Sequence, residues 1–137
     1  MKSRINPYDL ASTYVRLRSD TSVEPLVVDE TFWQRLSEGK LGTFRNEFLV
    51  SMHEFDSDWS MWEMHPNGDE IVCLIEGGVT FVLEADDQYI EVELQNSGSY
   101  IVVPKGAWHT ARANVPSRML FITAGEDTQH RDVSSVN

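Results

Sequence analysis

Cysteine, basic residues and long apolar runs are all scarce in this sequence. Cys73 is the only cysteine, so no disulfide can form within the chain. The 11 Lys and Arg are scattered among 22 Asp and Glu, and a net charge of −11 argues against nucleic acid as a partner. No run of about eighteen apolar residues is present, and Met1–Tyr14 lacks the apolar centre of a signal peptide. We therefore expect a soluble, cytoplasmic protein without nucleic-acid or membrane partners.

The length and composition predict one folded core. A chain of 137 residues with 41% hydrophobic residues can bury one sizeable core, and a second is not expected. We divide the chain into an N-terminal segment that packs on a barrel (1–42), the β-barrel itself (43–126) and a polar C-terminal tail (127–137). Ser134–Asn137 is expected to be frayed.

The N-terminal segment carries the sequence pattern of a short helix. Val23–Val28 is predicted to be extended, and Asp29 follows as a residue that can cap a helix. Phe32, Trp33 and Leu36 then recur at helical spacing, and glycines end the pattern. We expect this helix to pack on the barrel.

From residue 43 onward the apolar pattern has a period of two, and turn residues return about every eight to twelve positions. This spacing predicts an all-β sandwich or barrel, here with the eight strands of a jelly roll, also described as a double-stranded β-helix. The predicted strands are 44–54, 59–65, 70–76, 78–84, 89–94, 99–103, 107–113 and 118–124.

One predicted strand is apolar on both faces. In the run Ile71–Ile75, alternate residues point to opposite sides of the sheet, yet all of them are apolar. A strand of this kind is normally covered on both sides. We expect either the N-terminal helix or, preferably, a second subunit of a homodimer to cover the second face.

Alternation along the second predicted strand collects chemically useful side chains on one face. Trp59, Met61, Glu63 and His65 share that face, which we expect to be the barrel interior. The turn at 67–68 then returns the chain, so that Glu70 begins the next strand close to His65. An imidazole and a carboxylate are thereby predicted to meet at one centre.

A second histidine is predicted to reach the same interior. His109 follows the turn at 104–106, and its same-side neighbours, Ala107 and Ala111, leave room for a ligand. Two imidazoles with one or two carboxylates suit one divalent transition metal such as Mn, Fe, Co, Ni or Zn, whereas oxygen ligands alone would suit Ca or Mg. If Glu63 and Glu70 both bound, their charges would neutralise the ion.

Two motifs in the sequence resemble those of the cupin superfamily. Glu63-x-His65-x4-Glu70-x6-Gly77 is similar to the first cupin motif, and Gly98-x5-Pro104-x-Gly106-x2-His109 matches the second. The resemblance covers about residues 55 to 124. It implies a small cupin barrel with a mononuclear metal site, to which His65, Glu70 and His109 correspond as ligands by position. Glu63 stands where the family has its first histidine, so this resemblance also implies an altered ligand or a weakened site.

Several roles remain open at this level. Glu63 is either a fourth ligand or a general base beside the metal, and Asp69 would replace Glu70 if the hairpin register slipped by one residue. Nothing in the sequence fixes the direction in which the His53 side chain points, and His130 is expected to be solvated. Trp59 and Met61 are the preferred pocket residues.

Two hypotheses about function follow. The first is a metal-dependent enzyme, an oxygenase, isomerase or hydrolase, acting on a small molecule. The second is a non-enzymatic sensor or small-molecule carrier with a degenerate metal site. The scaffold does not decide between them, because cupins of one fold support many reactions.

Overall fold

Eleven strands and one short helix form within residues 5–133, the part of the chain that this computed structural model describes. In that part, no helix has the length and apolar character needed to cross a membrane. The helix is α1 (Phe32–Ser37). The strands are β1 (Thr13–Leu17), β2 (Val23–Val27), β3 (Phe48–Phe55), β4 (Met61–Met64), β5 (Glu70–Glu76), β6 (Val79–Ala85), β7 (Gln88–Leu94), β8 (Tyr100–Val103), β9 (His109–Arg112), β10 (Ser117–Thr123) and β11 (Gln129–Asp132).

The strands build two antiparallel sheets. One has the order β2-β1-β3-β10-β5-β8 and the other β11-β4-β9-β6-β7. All eight strands predicted for the barrel are present, as β3 to β10, so the all-β prediction is confirmed. The first of them begins at Phe48 instead of residue 44, because Phe44 and Asn46 adopt positive φ angles of 59° and 58°, which a strand cannot accommodate.

The main core lies between the two sheets. The residues of β5 alternate as predicted, and Val72 and Leu74 point inward with no exposed surface. They pack with inward residues of the facing strands, including Phe81 and Met119, which are also fully buried. The polar residues described below lie beside this core.

The N-terminal segment closes one side of the barrel. The helix begins after Thr31, whose amide and hydroxyl both donate to Asp29 Oδ1, so Asp29 orders the turn before the helix instead of capping it. Phe32 is fully buried in a second cluster with Tyr14 and Leu49.

That cluster lies on the inward face of β1 and β3. The register places Leu49 opposite Arg16 and Val50 opposite Val15, so the inward and outward faces are distinct. The helix therefore does not cover the outward residues of β5, such as Ile71. The expectation that it might is wrong, because the helix packs on the opposite face of the same sheet.

The C-terminal segment differs from the expected polar tail. Gln129–Asp132 form β11, which pairs with β4 along its whole length. Because the side chains of this edge strand are polar, apolar alternation in the sequence could not predict it. The frayed end predicted for Ser134–Asn137 lies outside the described residues.

Candidate metal centre

Strand register assembles one row of interior side chains across the smaller sheet. Glu63 of β4 lies opposite His109 of β9 on one side and opposite His130 of β11 on the other. Directly paired residues in a sheet point to the same face. Two of the sequence-predicted ligands, Glu63 and His109, are thus brought together by backbone pairing.

The facing sheet and the turn after β4 supply the other two predicted ligands. Glu70 begins β5 with 2% exposure, and His65, which follows β4, has 4% exposure. The backbone N–H of Gly106 donates to the carbonyl oxygen of His65 over 2.9 Å, which ties the two motifs together. Asp69 is exposed and accepts from the Lys105 N–H over 2.8 Å, so the register that would exchange it for Glu70 does not occur.

The four side chains converge. Glu70 Oε1 lies 3.0 Å from His109 Nε2, and Glu70 Oε2 lies 3.3 Å from His65 Nε2. Glu63 Oε2 is 3.8 Å from His65 Nε2 and 4.0 Å from His109 Nε2. One ligand atom from each of Glu63, His65 and His109 lies within 4.8 Å of the other two. These separations are those of atoms arranged around a common centre.

Hydrogen bonds on the far side of each imidazole direct its lone pair toward that centre. His109 Nδ1 lies 3.1 Å from the carbonyl oxygen of Ala107, which can only accept, so Nδ1 carries the proton. Thr128 donates its hydroxyl proton to the Gly125 carbonyl over 3.0 Å and must therefore accept from His65 Nδ1, 2.8 Å away. In the neutral form of both rings, Nε2 is the unprotonated nitrogen.

Three polar atoms at the centre are buried and unpaired. Within the described part of the chain, His65 Nε2, His109 Nε2 and Glu70 Oε1 have no hydrogen-bond partner. The 3.0 Å approach of His109 to Glu70 therefore has the distance of a hydrogen bond without its direction. Buried orphan atoms are costly, and three that converge are suited to coordinate a divalent ion.

The electrostatics of the centre favour an ionised carboxylate. Burial, the largest single influence, raises the pKa of Glu70, but the two neighbouring imidazoles outweigh it and lower the pKa to about 2. Burial likewise lowers the pKa of His109, but the adjacent carboxylate of Glu70 raises it above its ordinary value. Without a metal, a proton on His109 is stabilised at the place where an ion would bind.

Glu63 is held between the centre and the outside. While its Oε2 faces the two imidazoles, its Oε1 lies 3.5 Å from Nε2 of His130. The contact with Glu63 raises the pKa of His130, against a smaller opposing effect of burial. His130, expected to be simply solvated, is instead a half-exposed partner of Glu63.

A cavity of about 990 Å³ opens from the centre. Trp59 and Met61 both line it, as their place on the face of Glu63 predicts. Trp62 and Trp108 lie on the other side of the sheet, where the guanidinium of Arg131 stacks over both rings. A cavity of this size suits a small organic ligand.

Sequence reasoning missed the side chains that support the predicted ligands. Thr123 donates to Glu70 Oε2 over 2.6 Å, and the pairing of these two residues across β5 and β10 explains the contact. Thr128 and His130 belong to the segment expected to be a tail. Only knowledge of the fold could have identified them, because each is an ordinary polar residue in the sequence.

Comparison with solved structures shows the fold. An oxalate oxidase structure matches with a TM-score of 0.52 and 14% identity, covering 63% of this chain and 46% of that one. Peruvianin-I, a cysteine peptidase from Thevetia peruviana latex, matches with a TM-score of 0.52 and 14% identity, covering 62% and 56%. A cupin-2 domain protein from Shewanella frigidimarina matches with a TM-score of 0.46 and 24% identity, covering 56% and 69%.

The chain spans about half the length of the first two structures. No protein-family model and no curated protein matches the sequence. The predicted jelly-roll barrel and the resemblance to the cupins are confirmed at the level of the fold.

Proposed function

We propose that this protein, which has the cupin fold, binds one divalent transition metal ion and a small molecule beside it. The ligands are His65, Glu70, His109 and Glu63. The observation that carries the proposal is the convergence of three buried polar atoms, from the first three of these residues, that have no partner among the described residues.

The donor set suits Mn, Fe, Co, Ni or Zn. Two imidazole nitrogens with carboxylate oxygens are ligands that these borderline ions accept. Two carboxylates would neutralise a divalent charge, which lowers the cost of holding it in a buried site. When bound, the metal would act as a Lewis acid or redox centre toward a small-molecule substrate.

In the enzymatic form of the proposal, Glu63 has one of two roles. Its side chain is 32% exposed and faces the cavity, whereas that of Glu70 is 3% exposed. Glu63 therefore either completes the ligand set or holds a proton taken from the substrate as a general base. Glu70, fixed by Thr123 and both imidazoles, has only the ligand role.

A non-enzymatic binding function is the second candidate. The cavity of about 990 Å³ is favourable for it, because ligand binding by such a volume does not depend on a metal. A carrier or sensor would use the same walls and would release the ligand unchanged.

Metal content tests the proposal. Protein purified without a metal-affinity step is analysed for Mn, Fe, Co, Ni and Zn, before and after incubation with each ion. The variants are His65→Ala, His109→Ala and Glu63→Gln, with His53→Ala as the matched control, since His53 lines the same cavity but is not part of the cluster.

We expect about one metal ion per wild-type and His53→Ala chain, and loss of the ion from the two other histidine variants. Glu63→Gln separates the roles of that residue: reduced metal content identifies a ligand, and full metal content with lost turnover identifies a base. A wild-type protein that stays empty with every ion refutes the metal site and leaves metal-independent binding.

We also propose that a second copy of the chain covers the outward face of the larger sheet. Strand register aligns one apolar residue from each of its six strands into a row, namely Pro25, Val15, Val50, Ile122, Ile71 and Val102. A second row crosses four of these strands through Met52, Leu120, Cys73 and Tyr100. No charged residue interrupts either row.

Such a face is suited to a symmetric homodimer, in which the same surface of both copies is buried. Val50→Glu places a charge at the centre of the first row, and Ile90→Glu places one on the exposed part of β7 as a control. Light scattering after size exclusion should give twice 15.6 kDa for wild type and Ile90→Glu, and 15.6 kDa for Val50→Glu. A monomeric wild type overturns the dimer.

A further inference from the structure

A continuous wall of rings connects the candidate metal centre with the mouth of the cavity. The ring of Trp59 lies 6.5 Å from His109 and 6.0 Å from Phe121 between centroids. Phe121 lies 5.2 Å from His53, which lies 5.4 Å from Trp33. Trp33, on the N-terminal helix, is 48% exposed and marks the outer end of the wall. Such a wall offers stacking and edge contacts to a flat ligand.

His53 presents a hydrogen-bond acceptor on this wall. The Tyr14 hydroxyl donates its one proton to the Met52 carbonyl over 3.2 Å. It can therefore only accept from His53 Nδ1, 3.5 Å away, which places the proton of a neutral His53 on Nδ1. Nε2 then carries a lone pair, and within residues 5–133 it has no partner. Because His53 lines the cavity with Nδ1 turned to Tyr14, Nε2 is the nitrogen that a ligand can meet.

The charges of the cavity disfavour anions. Among the described residues that line it, none is Lys or Arg, and four are acidic, namely Glu54, Glu63, Glu70 and Asp127. His53 does not supply a positive charge, since burial, opposed by the charges of Glu63 and Glu70, lowers its pKa below the ordinary value. Apart from the metal centre, the only candidate cation among the described lining residues is a protonated His130, and its Nε2 already faces the carboxylate of Glu63 at 3.5 Å.

We propose that the cavity takes an uncharged, planar aromatic molecule with a hydroxyl or N–H donor, and that His53 Nε2 accepts from that donor. His53 is then a specificity-determining residue, and Tyr14 is a positioning residue that holds its tautomer. This inference deepens the proposed function by naming its ligand class, and it rests on that function only for the ligand's approach to the metal.

Four small probes separate the parts of the proposal, each titrated into protein freed of metal by a chelator. Phenol is aromatic, neutral and a donor. Anisole lacks the donor, benzoate adds a negative charge and cyclohexanol lacks the aromatic ring. Because the titrations use metal-free protein, their result does not depend on whether a metal site exists.

The four tryptophans make nuclear magnetic resonance the suitable readout. In a ¹H–¹⁵N correlation spectrum, phenol should shift the indole signals of Trp33 and Trp59, which line the cavity, and leave those of Trp62 and Trp108 in place. Phenol should bind about three- to tenfold more tightly than anisole, as expected for one hydrogen bond between neutral groups. Benzoate and cyclohexanol should both bind more weakly than phenol.

Two variants assign the effect to His53. His53→Phe keeps a ring in the wall and should reduce phenol affinity to that of anisole, with anisole unchanged. Tyr14→Phe should weaken phenol binding and, in long-range ¹H–¹⁵N spectra of the imidazole, reduce the share of the Nδ1–H tautomer.

Equal binding of phenol and anisole, or an unchanged phenol affinity in His53→Phe, overturns the role of His53. Preference for benzoate or cyclohexanol overturns the ligand class. If the protein binds no metal in the measurement above but the probes rank as expected, the metal site is refuted and the inference about the ligand class stands.

Discussion

The support that Thr128 gives to His65 makes a sharp prediction about metal affinity. Thr128→Val keeps the shape of the side chain but removes the oxygen that accepts from His65 Nδ1 over 2.8 Å. Since the same oxygen also donates to the Gly125 carbonyl, it holds His65 in the tautomer with Nε2 free. The imidazole of the variant loses both its orientation and its preferred tautomer.

The expected loss is about 10- to 100-fold in metal affinity, the usual effect of removing a partner that supports a metal-bound histidine. This corresponds to about 1.4 to 2.7 kcal/mol of binding free energy. The upper half of the range is favoured because His65 is 4% exposed and water has little access to replace the lost partner.

Competition with a chelator for Co²⁺ measures this affinity, and the visible absorption of Co²⁺ reports the number of ligands. Thr128→Ser restores the hydroxyl and should recover most of the affinity. Ser117→Ala is the stability control, because Ser117 is a buried hydroxyl that bonds to Gly78 at a turn away from the ligands. It should lower the free energy of unfolding by about 1 kcal/mol without changing Co²⁺ affinity. Equal Co²⁺ affinity in Thr128→Val and wild type would refute the role of Thr128.

Two further predictions concern pH and the turn between β5 and β6. Co²⁺ affinity should fall from pH 8 to pH 6, since the pKa of His109 is raised in the metal-free protein and its proton must leave before the metal binds; calorimetry at both pH values checks this. Gly77→Ala should lower the free energy of unfolding, measured by urea denaturation, by about 2 to 5 kcal/mol. Gly77 has φ 97°, and a Cβ there would lie 2.6 Å from the Pro116 carbonyl oxygen. An unchanged affinity or urea midpoint would contradict the respective argument.

The barrel strands could be predicted because each buries one face and carries the pattern in its own residues. Val72 and Leu74 are inward whichever strand lies opposite. Strand β11 could not be predicted, because Gln129–Asp132 has no apolar alternation and exists through pairing with β4. The start of β3 was placed too early for a related reason, since Phe44 has a positive φ that its residue type does not predict, and it is buried in the same cluster as Phe32.

The same distinction separates the proposed ligands from their supporting residues. His65 and Glu70 were accessible to sequence reasoning because a tight turn and a period of two bring them together locally. Thr123 and Thr128 act over sequence separations of 53 and 63 residues, and only the fold creates those contacts. For the same reason the sequence does not show where the His53 side chain points or which of its nitrogens carries the proton, because its contact with Tyr14, 39 residues earlier, exists only in the fold.

The charge of Glu63 links the proposed metal centre to the kind of ligand that the cavity accepts. With Glu63 and Glu70 both ionised, a divalent ion makes a centre without net charge, which agrees with a cavity that has no Lys or Arg among its described walls. Glu63→His would leave a net charge of +1 on the loaded centre. At about 5 Å and an effective dielectric constant of about 20, that charge attracts an anion by about 3 kcal/mol before screening.

The benzoate-to-phenol affinity ratio of metal-loaded protein should therefore rise at least about tenfold in Glu63→His. In metal-free protein the substitution removes the same unit of negative charge, so the ratio should rise by a comparable factor, but from a lower starting value because Glu63 and Glu70 are then not neutralised by an ion. A ratio that stays constant in the loaded variant would mean that Glu63 does not set the charge seen by the ligand. The neutrality of the centre would then be unrelated to the absence of Lys and Arg from the described walls of the cavity, and the two features would need separate explanations.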